Sequence, residues 1–405
     1  MVRLSLSQYF NQVMAKYNFD IKTNRENSSC VKYDLRKEIF GNADVIPMWV
    51  ADMDIQTPDF IFEAIRNRCN HPFLGYTFRD ESYNSAILEW YKRRHNWNIQ
   101  SNWIEFCPGV VSGLNHVIRA FTKPGDKIII QPPVYHPFFS TVENNGRVLV
   151  NNPLIERNGN YSMNFVELEQ LADQGASMLI LSNPHNPVGR VWNLEELTQL
   201  GNICVKHNVL VIADEIHCDL VYKPYKHIPL ASINSNFAKN TITFSSASKT
   251  FNIAGLASGF VIISNPDMMK KYKHELEASG AGMGNIFGNE AVKAAFSKEG
   301  ESWLNELLQY FEANIAFVES TLKQYLPKLK FTRPQGTYLM WLDFREFEMD
   351  DEALNNKLIN EAGLGLNAGN GFGIEGSGFQ RMNIACPRPV VQVALNKLIE
   401  SFKDC

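Results

Sequence analysis

The sequence predicts an α/β fold: a mostly parallel central sheet with helices on both faces, joined to a smaller, discontinuous α+β domain. Three observations predict it. Between about residues 105 and 265, short β-branched runs alternate with segments of helical periodicity, the sequence form of a parallel sheet whose strands need crossover helices. The runs are apolar at successive positions rather than at every second one, as in Val209 to Ala213, so both faces of those strands are buried. Finally, 405 residues exceed what one core usually serves, at roughly 100 to 200 residues per domain.

The elements follow in chain order. Pro108-Gly109-Val110-Val111-Ser112-Gly113-Leu114 opens a helix whose Leu114, Val117, Ile118 and Phe121 share one face. Strands are expected at Lys127 to Gln131, Met178 to Ser182, Val209 to Asp214, Thr241 to Ser245 and Gly259 to Ser264. Asn193-Leu194-Glu195-Glu196 has capping-box spacing, and Leu197, Leu200, Gly201 and Cys204 recur behind it at helical intervals. Phe331 to Phe344 suggests strands of a mixed unit, Arg381 to Ala385 another strand, and Val391, Leu395, Leu398 and Phe402 a closing helix.

Composition removes whole classes of function. With 39 Lys plus Arg against 43 Asp plus Glu the net charge is −4, so no basic surplus points to nucleic acid or an anionic membrane. Apolar runs stop at five residues, as in Tyr338 to Leu342, too short for a signal sequence or a membrane span. The seven cysteines are scattered without a Cys-x-x-Cys pair, which indicates neither a disulfide framework nor a zinc knuckle and fits a reducing cytoplasm.

Several motifs fail on context. Gly371-x-Gly373-x-x-Gly376 matches the dinucleotide fingerprint, but it leads into a strand instead of following one and opening a helix. Ser248-Lys249-Thr250 resembles the end of a phosphate loop without the required glycines. Asp214-Glu215-Ile216-His217-Cys218-Asp219 offers metal-ligand types, but in a continuing strand they would face opposite sides, so no metal is expected.

Four segments carry chemistry. Lys249 directly follows the serine-rich end of a strand, Ser245-Ser246-Ala247-Ser248, and suits a Schiff-base lysine, although taken alone the position reads first as a solvated lysine at a strand end. Asp214 ends a wholly apolar strand, where it can either cap the next helix or meet a cation such as a protonated pyridine nitrogen in the ligand crevice. Asn183-Pro184-x-Asn186-Pro187-x-Gly189 fixes five positions; at about 5% usage each, about one chain in ten thousand of this length would match by chance. Its prolines fix a turn and Gly189 frees it, so that Asn186 can be held as a donor. The glycine-flanked start of the Val110 helix, with a hydroxyl in its first turn, is an anion site.

This constellation resembles the fold-type I pyridoxal phosphate-dependent enzymes, the aspartate aminotransferase superfamily, over nearly the whole chain. Met48 to Asp54, Gly75-Tyr76-Thr77, Pro133-Val134-Tyr135, Asp214 to His217, Ser246 to Thr250 and Arg381 to Ala385 are similar to the MalY/PatB-type branch, the carbon-sulfur β-lyases. The resemblance implies a large pyridoxal phosphate-binding domain at 51–290 and a small domain formed by 1–50 and 291–405. It implies Lys249 as the Schiff-base lysine, Asp214 on the pyridine nitrogen, and Asn186 on the ring O3′ with His217 nearby. Tyr135 would stack on the ring, while the Val111 and Ser112 amides and the Ser246 and Ser248 hydroxyls would hold the phosphate. Tyr76 would reach that phosphate from the neighbouring subunit, making a homodimer with composite sites, and Arg381 would bind the substrate carboxylate.

One departure stands out: Ala257 occupies the position, eight residues after the lysine, where many aminotransferases carry an arginine on the phosphate. The implied reaction is α,β-elimination from L-cystathionine or a related S-substituted cysteine, giving pyruvate, ammonia and a thiol. Two alternatives share the residues: an aminotransferase, since site details rather than architecture decide the outcome, and a cofactor-binding protein that regulates by contacting another protein.

Overall fold

The computed structural model describes residues 16–405. Its main sheet has seven strands, in the order Ile104–Cys107, Gly259–Ile262, Thr241–Ser246, Leu210–Asp214, Ala176–Ser182, Lys127–Ile130 and Val148–Asn151. Gly259–Ile262 runs antiparallel to both of its neighbours, and the other pairings are parallel. The predicted fold class is the one observed, and all five expected strands of this sheet are present within two residues of their expected bounds.

Burial on both faces explains why those strands read as continuous apolar runs. Met178, Ile180, Ile212 and Ile242 point to one side and pack with Leu114, Val117 and Ile118 of the Val110–Phe121 helix. Leu179, Leu181 and Val211 point to the other and pack with Leu197, Leu200 and Cys204 of the Leu194–Lys206 helix. Each such side chain, fully buried, contributes roughly 1.5–3 kcal/mol. The second helix starts at the expected capping box: Asn193 Oδ1 accepts from Glu196 N, and Glu196 Oε2 accepts from Asn193 N, both at 2.9 Å.

A second sheet is antiparallel throughout, in the order Lys330–Thr332, Leu339–Asp343, Phe379–Asn383 and Asn367–Ala368. Arg388–Phe402, whose Val391, Leu395, Leu398 and Phe402 are buried, packs against the 28-residue helix Lys298–Tyr325. Ile46–Pro47 pairs in parallel with Leu364–Gly365, tying the segment before the first large helix to this sheet's end of the molecule. The glycine-rich stretch of residues 369–376 forms two short 3-10 turns that lead into the Phe379–Asn383 strand. Residues 1–15 of the expected small domain lie outside the described residues.

Candidate active site

Parallel strands leave their carboxyl ends on one side of the sheet, and residues just beyond them face a common crevice. Ser182, Asp214 and Ser246 are the last residues of three adjacent strands, and Gly109 is the N-cap of the Val110–Phe121 helix beside them. They open onto a cavity of about 220 Å³ that Val111, Ser112, Tyr135, Asn186, Asp214, His217, Ser246, Ser248 and Lys249 line together. Nine of the eleven side chains singled out in the sequence thus meet around one space. Arg381 joins them through Asn186, and Tyr76 stands apart, 95% exposed.

The charged groups are kept from water. Asp214 is buried, accepts from Ile216 N at 3.2 Å, and makes no ion pair among the described residues. Burial therefore pushes its carboxyl up to about 7. Burial, with the Arg381 charge second, lowers the Lys249 ammonium to about 8, close to where an amine can both take and give a proton. Burial also lowers His217, with Lys249 and Arg381 adding to the effect, to about 3, so its imidazole is neutral.

Arg381 is 2% exposed, which removes the surface ion pair that its residue type alone would suggest. Its Nη1 donates to Asn186 Oδ1 at 3.0 Å, and its Nη2 to Trp49 O at 2.7 Å. A guanidinium has no acceptor, so this contact fixes the Asn186 amide with its oxygen on Arg381 and its NH₂ free to donate elsewhere. Phe372 lies under the guanidinium, 4.9 Å from ring centre to carbon.

The anion end is built from backbone and hydroxyls. No side chain caps the Val110–Phe121 helix, so its first N–H groups remain available to an anion. Gly113 lets this helix lie against the sheet, because a Cβ there would collide with the Phe244 ring and Cys107 Sγ. Ala257, in left-handed backbone conformation, and Ser258 also line the cavity.

The turn after Asp214 corrects one expectation. The strand does not continue; the chain turns, placing Asp214 and His217 together on the cavity, while Glu215 and Asp219 face away. Glu215 is fully buried against His227 Nε2 at 3.0 Å. Asp219 accepts from Trp90 Nε1 at 3.1 Å and from Thr250 Oγ1 at 3.2 Å, with His95 Nε2 at 3.1 Å. His95, Cys218 and Asp219 lie within metal-binding distance of one another, but these partners already engage both oxygens of the carboxylate.

Sequence reasoning assigned no role to residues 49–51, to Ser258 or to Tyr338, and to Asp52 and Met53 only a part in shaping the specificity pocket. Lys249 Nζ donates to Ala51 O at 2.7 Å and Tyr338 Oη to the same oxygen at 2.9 Å. Backbone acceptors carry no residue-type signature, and Tyr338 sits in an apolar run that reads as core. The one available signal was the Met48 to Asp54 segment itself.

The chain matches the family described as aminotransferase class I and II over residues 43–398. Cystathionine beta-lyase PatB of Bacillus subtilis (strain 168) is 42% identical over 384 residues, which cover 94% of this chain and 98% of that protein. Among solved structures, cystalysin from Treponema denticola, which contains a pyridoxal 5'-phosphate cofactor, superposes with a TM-score of 0.93 at 36% identity, covering 96% of this chain and 99% of that one. The pyridoxal phosphate-bound C-S lyase from Staphylococcus hominis has a TM-score of 0.90 at 33% identity, covering 96% of this chain and 98% of its own.

Proposed function

The chain belongs to the aminotransferase class I and II family, and from that premise we propose that it is a pyridoxal phosphate-dependent carbon-sulfur β-lyase, converting L-cystathionine or related S-substituted cysteines and water to pyruvate, ammonia and a thiol. The donor set fits the cofactor. Buried Asp214 makes no ion pair among the described residues, Lys249 acting on it only from beyond contact distance, and a protonated pyridine nitrogen is the partner that it lacks. His217 Nδ1 and Ser258 Oγ are buried without a hydrogen-bond partner, and the free N–H groups of the helix, with Ser112, Ser246 and Ser248, suit a phosphate. When bound, the cofactor accepts the electron pair left at the substrate Cα.

The chain's own residues supply the rest. Arg381 binds the substrate α-carboxylate, held by Trp49 O and Asn186. Lys249, its ammonium pKa lowered by burial to about 8, takes the Cα proton; the electron pair released there closes the Cα–Cβ double bond as the Cβ–S bond breaks, and the sulfur leaves with that bond's pair and takes up a proton to become the thiol. With the cofactor bound, Asp214 would hold its pyridine nitrogen protonated, and Asn186 and His217 would orient its ring. Tyr135 would stack on the ring, and its burial raises its hydroxyl pKa, so it stays protonated.

We further propose that the working unit is a homodimer, in which Tyr76 completes the phosphate site of the partner subunit. The exposed apolar run Phe73, Leu74, Tyr76 and Phe78 supports this, since patches of this kind mark interfaces. The same reading takes residues 51–290 as the cofactor domain and 1–50 with 291–405 as the small one. It places the protein in the cytoplasm, in keeping with seven free cysteines and with no membrane-crossing helix among the described residues.

The observation that carries the function is the meeting of Lys249, Asp214 and Asn186 at one cavity, with Arg381 hydrogen-bonded to Asn186, in a chain similar over nearly its full length to a named cystathionine β-lyase. The purified protein with added pyridoxal phosphate tests it. Stoichiometric pyruvate and thiol from L-cystathionine without an amino acceptor supports the lyase. Amino transfer between aspartate and a keto acid, with no pyruvate from cystathionine, overturns it.

A further inference from the structure

Residues 49–53 belong to neither a helix nor a strand, so no ladder satisfies their carbonyls and each needs another donor. Side chains supply all five. Trp49 O accepts from Arg381, and Val50 O and Asp52 O from Asn383 Nδ2 at 2.7 and 2.6 Å. Met53 O accepts from Arg25 and Asn252, each at 2.9 Å. Ala51 O takes two donors, Lys249 Nζ and Tyr338 Oη. The strap is therefore pinned on either side of Ala51, and that carbonyl cannot turn to follow the lysine.

A carbonyl oxygen has two lone pairs. With one taken by Tyr338, only the other remains for Lys249. Tyr338 is itself fixed: it is fully buried, and its ring meets the edges of Phe311 and His217 at centroid distances of 5.8 and 6.0 Å. We propose that Tyr338 is a positioning residue for Lys249, its hydroxyl leaving the Ala51 carbonyl a single acceptor direction and so fixing the aim of the lysine amine whenever that amine is free. This rests on the proposed lyase reading, in which a freed Lys249 amine takes a proton from Cα. A neutral amine that donates one N–H to a fixed acceptor has its own lone pair confined to the two remaining tetrahedral directions.

Tyr338→Phe keeps the ring and removes only the hydroxyl. Phe311→Leu is its control, loosening the ring packing while keeping the hydroxyl. The first readout needs no catalysis: in the cofactor-free chain, acetylation of Lys249 by acetic anhydride at one fixed pH, followed by peptide mass spectrometry. Without the competing hydroxyl, Ala51 O becomes the better acceptor for the ammonium. Lys249 in Tyr338→Phe is then acetylated several-fold more slowly than in the wild type, and in Phe311→Leu at the wild-type rate. In the loaded enzyme, Tyr338→Phe lowers kcat for L-cystathionine about tenfold, as a misaimed base would, with KM nearly unchanged and a larger isotope effect from Cα-deuterated substrate. Wild-type acetylation in Tyr338→Phe, or an equal change in Phe311→Leu, overturns the proposal. A wild-type protein without lyase turnover overturns the proposed function instead and leaves the acetylation result standing.

Discussion

Asp214 follows four apolar residues, Leu210 to Ala213, and burial sets its chemistry. With a folded pKa of about 7 against an ordinary 3.8, the folded cofactor-free chain binds the proton more tightly than the unfolded one. Stability from this group is thus gained as pH falls from about 7 toward 3.8. In chemical denaturation of the cofactor-free protein, the stability of the wild type relative to Asp214→Asn rises between pH 8 and 5. Added pyridoxal phosphate flattens that difference, because a pyridinium partner favours the carboxylate. Lys249→Ala is expected to lose both turnover and the near-ultraviolet to visible absorbance of the lysine-bound cofactor; elimination surviving in that variant sinks the assignment. Asp214, Lys249 and Asn186 were legible because each is a chemically distinctive side chain at the end of an apolar strand or in an improbable turn. Arg381 was legible only by resemblance, since nothing in its neighbours' types announces that its guanidinium is buried.

At the scale of elements, the Val110–Phe121 helix delivers its N-terminus to the cavity only because Gly113 allows it to touch the sheet at Phe244 and Cys107. Gly113→Ala forces the helix outward, an overpacking expected to cost about 1–3 kcal/mol, and it moves the N–H groups away from the anion end. Titration of the variant with pyridoxal phosphate should show weaker binding beyond the loss in thermal stability. Asn193→Ala, which breaks the capping box of the Leu194–Lys206 helix, is the matching control: about 1 kcal/mol less stable, with cofactor affinity and kcat unchanged. The central strands could be read because burial on both faces leaves an uninterrupted apolar run. Ile104–Cys107 and Val148–Asn151 could not, since each has four residues at a sheet edge, and the second has exposed or half-buried residues throughout. Val148–Asn151 is too wet to carry either pattern, and only its pairing with Lys127–Ile130 defines it.

On the scale of the whole molecule, the described residues present what the proposed chemistry needs except a cation at the anion end, where Ala257 stands among the serine hydroxyls. The exposed run from Phe73 to Phe78 lies just before Asp80, which caps the Glu81–His95 helix by accepting from Tyr83 N. That helix ends on Asp219 through Trp90 and His95, and Asp219 also holds Thr250, the residue after Lys249. The surface proposed to pair two copies is therefore joined by one helix to the base of the site. If Tyr76 serves the partner's site, a Tyr76→Ala chain and a Lys249→Ala chain are each inactive alone, yet complement one another. Random pairing of equal amounts makes half the dimers mixed, and each mixed dimer has one site with both residues intact, so about a quarter of wild-type turnover returns. Tyr76 is almost fully exposed in the single chain, so its loss does not disturb the fold. Co-refolding the two variants and measuring pyruvate from L-cystathionine checks this, because a site contained within one chain returns no activity at any mixing ratio.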